Sequence, residues 1–441
     1  MYLSKRYGSS FLLVPDLGLC QETVFLSPFG AGIVLLGSKW LESEDFFSAW
    51  YHSNIAGGRL SMKELIYLDH AAATPLDEGV LAAMRPYFSE RFYNPSASYW
   101  QAKKVAEDLA AARSKVAGIV GARPPEIVFT AGGTEANNLA IHGVMRRFPG
   151  ANLVLSSIEH ESVLAAGRQY QHHETPVTAD GIVTAEAVER LIDSETVLVS
   201  IMYANNEVGT IQPIRELARL LERIRKERRL AGNAMPLFLH TDAAQAANYL
   251  DLHVSRLGVD LMTLNGGKIY GPKQSGALYV RGGIPLEPLI FGGGQEYGMR
   301  SGTENVAGDI GFAAALELAA RVRQPEANRL RKLQHLAFEL LDEKIPAARI
   351  NGSLKKRLPN NIHITIPGQD NERLLFALDE AGIMAAAGSA CSASKDEPSH
   401  VLRAMGLTDL EARASLRLTL GRDTTEKQIR KAVSQLASLL A

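Results

Sequence analysis

At 441 residues the chain is longer than one minimal core requires, and a prior of roughly 150 residues per domain points to two or three units. Apolar residues make up 46% and charged residues 22%, which excludes a wholly disordered chain. A net charge of −1 gives no global attraction to nucleic acid or to an anionic membrane, and neither is expected as a direct partner. Apolar runs fall short of the about 20 residues needed to span a bilayer. Two distant cysteines, Cys20 and Cys391, cannot form a disulfide framework, and a reducing, cytoplasmic setting is expected.

Residues 1–61 show no sustained periodicity. Met62 offers a natural start, so this segment is expected to be either untranslated or an extension that packs on the body or binds a partner. From 62 onward the pattern is strand, loop, helix, repeated. Short apolar runs at 127–129, 153–156, 197–202, 237–240, 261–264 and 277–280 predict strands. Helices are predicted at 135–147, 185–192 and 214–229, the basic run at 223–229 being a solvated face. The alternation predicts an α/β fold with a mostly parallel sheet covered on both faces. Helical pattern dominates 306–341, and an α+β segment follows, with a strand at 361–366 and helices at 372–381 and 425–440. The domains are therefore read as 1–61, a large domain at 62–320 and a small one at 321–441.

Three loops carry chemistry. Thr130-Ala131-Gly132-Gly133-Thr134-Glu135 joins a strand to a helix, where bare backbone and free N–H groups suit an anion. Thr134 would add a hydroxyl, although it reads equally well as an N-cap. Asp242, in His240-Thr241-Asp242-Ala243-Ala244-Gln245, ends an apolar strand, where open parallel sheets collect ligands. A carboxylate there can hold a pyridinium nitrogen protonated, though alone it reads better as a helix cap. Asn265-Gly266-Gly267-Lys268 ends the next strand and offers a lysine that can form a Schiff base with an aldehyde.

With these loops on the page, the chain from about residue 67 to 422 resembles the cysteine desulfurases of the NifS/IscS group, among the fold-type I pyridoxal-phosphate enzymes. Tyr67-Leu68-Asp69-His70-Ala71-Ala72-Ala73-Thr74-Pro75 resembles their opening motif. Ile158-Glu159-His160-Glu161, Asn205-Asn206-Glu207-Val208-Gly209-Thr210, Gly298-Met299-Arg300-Ser301-Gly302-Thr303 and Gly388-Ser389-Ala390-Cys391-Ser392-Ala393-Ser394 match further signatures. The resemblance implies a large domain with a seven-stranded type of sheet, and a small domain that also takes in residues near 67–80. It implies pyridoxal 5'-phosphate as cofactor, held covalently by Lys268, which would then move protons. Asp242 would face the pyridine nitrogen, Gln245 the ring hydroxyl, and His160 the ring itself. Gly133, Thr134 and Asn265 would hold the phosphate, joined by Thr303 from the other subunit of a homodimer. Asn206 and Arg417 would hold the substrate carboxylate, for which a guanidinium suits better than an ammonium.

Cys391, among Gly, Ala and Ser, would take sulfur from L-cysteine as a persulfide. It would pass that sulfur to an acceptor protein, an iron–sulfur scaffold or a tRNA-thiolation relay. The family usually carries Ser-x-His before the lysine, where this chain has Asn265 and Gly267, so a weaker hold on phosphate is expected. Two other readings stay open: a selenocysteine lyase or related amino-acid enzyme, and a non-catalytic sulfur-transfer scaffold. No metal site is expected.

Overall fold

A computed structural model describes residues 65–388 and 397–440. The segment 1–61, the start at Met62, and Cys391 lie outside these residues. The described chain opens on β1 (Ile66–Tyr67). A large sheet takes β2 (Ile127–Thr130), β3 (Asn152–Ser156), β4 (His172–Thr175), β5 (Thr196–Ser200), β6 (Phe238–Asp242), β7 (Leu261–Asn265) and β8 (Gly276–Val280). The remaining strands are β9 (Arg349–Ile350), β10 (Asn361–Thr365), β11 (Ile383–Met384) and β12 (Ser415–Thr419).

The seven strands of the large sheet lie in the order β2-β8-β7-β6-β5-β3-β4. The pairs from β7 to β4 are parallel, while β8 runs antiparallel to both β2 and β7. The sheet is mostly parallel, as the alternation of elements predicts. β3, β5 and β6 are buried at every residue, with Leu and Val filling both faces of β3 and β5 and helices covering both. Val154, Val199 and Leu239 turn to one core with Leu217 and Phe312. Leu153, Leu155 and Leu198 turn to the opposite core with Leu139 and Val144. This is the two-residue alternation of a strand made into two layers.

Sequence periodicity did not reveal β4. Its residues, His-His-Glu-Thr, carry no apolar alternation, and it forms the edge beside β3. The helix predicted at 185–192 is confined to Ala185–Glu189.

One helix, Val306–Lys344, runs 39 residues and contains Pro325. Its first part packs Phe312, Ala315 and Leu316 into the core of the large sheet. Its second part packs Leu330, Ala337 and Leu341 into a separate core with Ile362, Leu416 and Leu418. Proline removes a helical N–H bond and crowds the preceding turn, and here it falls where the helix changes partner. The second core also includes Ile66 and Leu68, because β1 pairs with β11. β10 is flanked by β9 and β12 in a three-stranded antiparallel sheet.

Candidate active site

The site forms where the carboxyl ends of β6 and β7 meet the start of the helix Gly133–Arg147. Gly276 brings them together, being the register partner of both Thr130 and Asn265. A Cβ at Gly276 would lie 2.5 Å from the Leu264 carbonyl oxygen and 2.9 Å from the Gly132 Cα. Only a bare backbone lets the strand end and the glycine loop approach so closely. Gly132 itself has φ 121°, which favours glycine.

A cleft of about 150 Å³ opens there. It is lined by Gly133, Thr134, His160, Asn206, Asp242, Gln245, Asn265, Lys268 and Arg417, nine of the residues singled out from sequence. Thr303 is exposed and is not among the lining residues. Cys391 lies outside the described residues; of the residues flanking its segment, Ala386 is bonded to a residue of this cleft and Ser399 to a neighbour of one. Ala386 exchanges backbone hydrogen bonds with Arg417, and Ser399 donates to Glu207 Oε2 at 2.5 Å, next to Asn206.

Asp242 ends β6 and is buried. Its Oδ2 accepts from Asn137 Nδ2 at 2.8 Å, and its Oδ1 from the Ala244 N–H at 2.9 Å. The local turn and the cleft-facing carboxylate thus coexist in one side chain. Thr134, by contrast, is not a cap: the helix is entered through Gly132, and Thr134 lies in its first turn. Lys268 ends a short 3₁₀ turn after β7 and donates from Nζ to the carbonyls of Ala71, at 2.9 Å, and Ala72, at 2.5 Å. Gln245 Nε2 also donates to the Ala71 carbonyl, at 3.0 Å.

His160 Nδ1 accepts from the Ser162 N–H at 3.1 Å and meets the Ser162 hydroxyl at 2.8 Å. With Nδ1 as acceptor, the neutral ring carries its proton on Nε2. Two buried groups flank this region. Burial pushes Glu159 up to about 8, helped by the nearby charge of Asp242. Burial also lowers His240 to about 4, so it is neutral between Ser200 and Thr263.

Arg417, on β12, is 1% exposed. It donates to the Asn206 carbonyl at 3.0 Å and to Asp69 Oδ1 at 2.7 Å. Its Nε is buried without a partner, an unmet donor at the wall of a ligand-sized space. Sequence reasoning did not single out Asn137 or the carbonyls of Ala71 and Ala72. Asn137 was within reach of it, since a four-residue step from Gly133 puts both on one helix face.

A pyridine ring bearing a phosphate arm fits this lining. Asp242 brings a carboxylate to the cleft, which suits a ring nitrogen, and Lys268 brings an amine, which suits an aldehyde. A Cβ on Gly133 would sit 3.3 Å from Asn265 Nδ2, so the bare backbone and an amide donor border the same space. Asn265 Oδ1 accepts the Gly267 N–H at 3.0 Å, which orients that amide.

The family model for class-V aminotransferases matches residues 66–431. The chain belongs to the class-V aminotransferase family. A cysteine desulfurase IscS of Dictyoglomus turgidum is 38% identical over 386 residues, covering 86% of this class-V chain and 95% of its own. Cysteine desulfurase IscS 1 of Archaeoglobus fulgidus is 40% identical over 383 residues, with 85% and 96% covered. Among solved structures, a NifS-like protein superposes with TM-score 0.78 at 32% identity, covering 86% of this chain and 99% of its own. SspA in complex with cysteine gives TM-score 0.68 at 35% identity, with 80% and 98% covered. Class-V aminotransferases are pyridoxal-phosphate-dependent as a family.

Proposed function

We infer that this chain is a pyridoxal-phosphate-dependent cysteine desulfurase, converting L-cysteine to L-alanine and leaving the sulfur on Cys391. The observation that carries this reading is the meeting of Asp242, Lys268 and Arg417 in one cleft, with the Cys391 segment flanked by Ala386, bonded to Arg417, and Ser399, bonded to Glu207. The IscS relatives, matched over nearly their whole length, support it.

When bound, pyridoxal phosphate would supply the electron sink that stabilises negative charge on the substrate carbons. Asp242 would keep the ring nitrogen protonated, with Asn137 and the Ala244 N–H fixing its carboxylate. Lys268 would hold the cofactor and then carry a proton at Nζ. Its two carbonyl acceptors, Ala71 and Ala72, orient the ammonium toward the cleft. His160 would present its Nε2–H to the ring face. Arg417 and Asn206 would receive the substrate carboxylate. The Cys391 thiolate would attack the substrate sulfur, forming an S–S bond as the Cβ–S bond breaks. The freed carbon takes a proton, so one cysteine and one enzyme thiol give one alanine and one persulfide.

The unit carrying Cys391 and Arg417 is read as 321–441 with residues near 67–80, a division supported by Ile66 and Leu68 in the second core. A homodimer would let Thr303 of a second copy complete the phosphate site. The persulfide would then go to a sulfur-acceptor protein.

Alanine released from L-cysteine by the purified, cofactor-loaded protein tests the reading, with selenocysteine run in parallel. Alanine from cysteine in proportion to persulfide is expected. Alanine from selenocysteine alone would make the chain a lyase of that substrate.

A further inference from the structure

We propose that Lys273 is the cationic ligand of the cofactor phosphate in this chain, a role that the assignments above leave unfilled. The inference rests on the cofactor reading and deepens it. The phosphate end of the cleft is lined by Gly132, Gly133, Thr134, Asn265, Gly267 and Lys273, among others. Gly267 brings no side chain to it. The space beside Gly267 is bordered by Asn265 and Lys273: a Cβ at 267 would lie 3.6 Å from Asn265 Oδ1, 3.8 Å from Lys273 Cγ and 3.9 Å from its Cα.

Charge accounting points to the same residue. A phosphate monoester carries about two negative charges at neutral pH. The helix N-terminus at Gly133 offers roughly half a positive charge, and Thr134 and Asn265 are neutral. Glu135 also borders this end, but Arg300 Nε pairs with it at 2.9 Å and offsets its charge. Arg417 stands at the substrate end, paired with Asp69. Lys268 is committed to the aldehyde. Among the described residues that line the phosphate end, Lys273 is the remaining cation. Its Nζ donates to the Thr74 carbonyl at 2.5 Å, which anchors the stem. An ammonium has three N–H donors, so this contact leaves others for phosphate oxygens. As a point charge rather than a planar fork, lysine suits a phosphate that is also cradled by backbone.

The test compares pyridoxal 5'-phosphate with pyridoxal on the apo full-length protein, each titrated by the visible absorbance of the lysine-bound form. Both probes use the same aldehyde chemistry at Lys268, and they differ only in the phosphate. In Lys273→Gln, the preference for the phosphorylated probe should fall about tenfold or more while pyridoxal affinity is unchanged. Lys273→Arg should keep that preference within about threefold of wild type. Equal weakening of both probes would reduce Lys273 to a prop for the Thr74 loop and overturn the proposal. An unchanged preference in Lys273→Gln would overturn it as well. A wild type that forms the absorbing species with neither probe would sink the cofactor reading itself, a result distinct from both.

Discussion

Among the described residues Arg417 heads the largest fully buried side chains, and a buried guanidinium is tolerated only with partners. Asp69 and the Asn206 carbonyl hold two of its N–H groups and set its plane toward the cleft. Arg417→Lys keeps the charge but loses the fork. We predict that KM for cysteine rises about 10- to 100-fold, from one lost charge-assisted hydrogen bond, with cofactor absorbance unchanged. His160 has its Nδ1 occupied by Ser162, so only Nε2 can act in the cleft. His160→Gln is predicted to lower kcat about 100-fold or more, the scale of a lost proton-transfer group, read by steady-state alanine release. Glu159 is a residue whose protonation the fold alters. Burial raises it from 4.5 to about 8, so the folded state keeps a proton that the unfolded chain has released. Its contribution is present below pH 4.5 and is lost as pH rises toward 8. Glu159→Gln should flatten the fall in melting temperature between pH 6.5 and pH 8, measured by thermal unfolding at both.

At the scale of elements, Gly276 ties β8, β7 and the loop before the helix Gly133–Arg147. A methyl there would press on the Leu264 carbonyl and on Gly132. Gly276→Ala is predicted to cost about 1–3 kcal/mol of stability in denaturant unfolding and to weaken cofactor binding with it. These elements also show what was legible beforehand. The strand-end positions of Asp242 and Lys268 were legible because apolar runs mark buried strands, although Asp242 alone read better as a helix cap and the spacing of the loops was needed to single out the pair. The edge strand β4 was not, because His172, His173 and Glu174 look like loop until β3 offers them hydrogen bonds. Arg417 became a site residue through the matched motif. Periodicity alone would read it as a polar interruption of a small-sheet strand. The bonds of Asn137 and the two alanine carbonyls depend on tertiary approach across more than 60 residues, which local pattern cannot carry.

Across the whole molecule, stability and function draw on the same buried polar groups. His240 and His363 are fully buried and lowered from 6.5 to about 4 and about 3 respectively, chiefly by burial. A lowered histidine contributes stability that is full above pH 6.5 and fades as pH falls through its folded value. The protein should therefore lose stability progressively from pH 6.5 down to about 4. Between pH 4.5 and 6.5 the loss from the two histidines outweighs the opposing gain from Glu159 on the same descent, and above 6.5 only the Glu159 loss remains, so these three groups together place the optimum near pH 6.5. The two cores are bridged by the helix Val306–Lys344, and Arg417 of the second meets Asp242 and Lys268 of the large sheet in one cleft. The most direct test of the account is single-turnover alanine release from L-cysteine by wild type and Cys391→Ala, with the cofactor spectrum recorded alongside. The account predicts that both proteins show the bound cofactor and that only wild type releases alanine and forms persulfide. Alanine release by Cys391→Ala at the wild-type rate would contradict it.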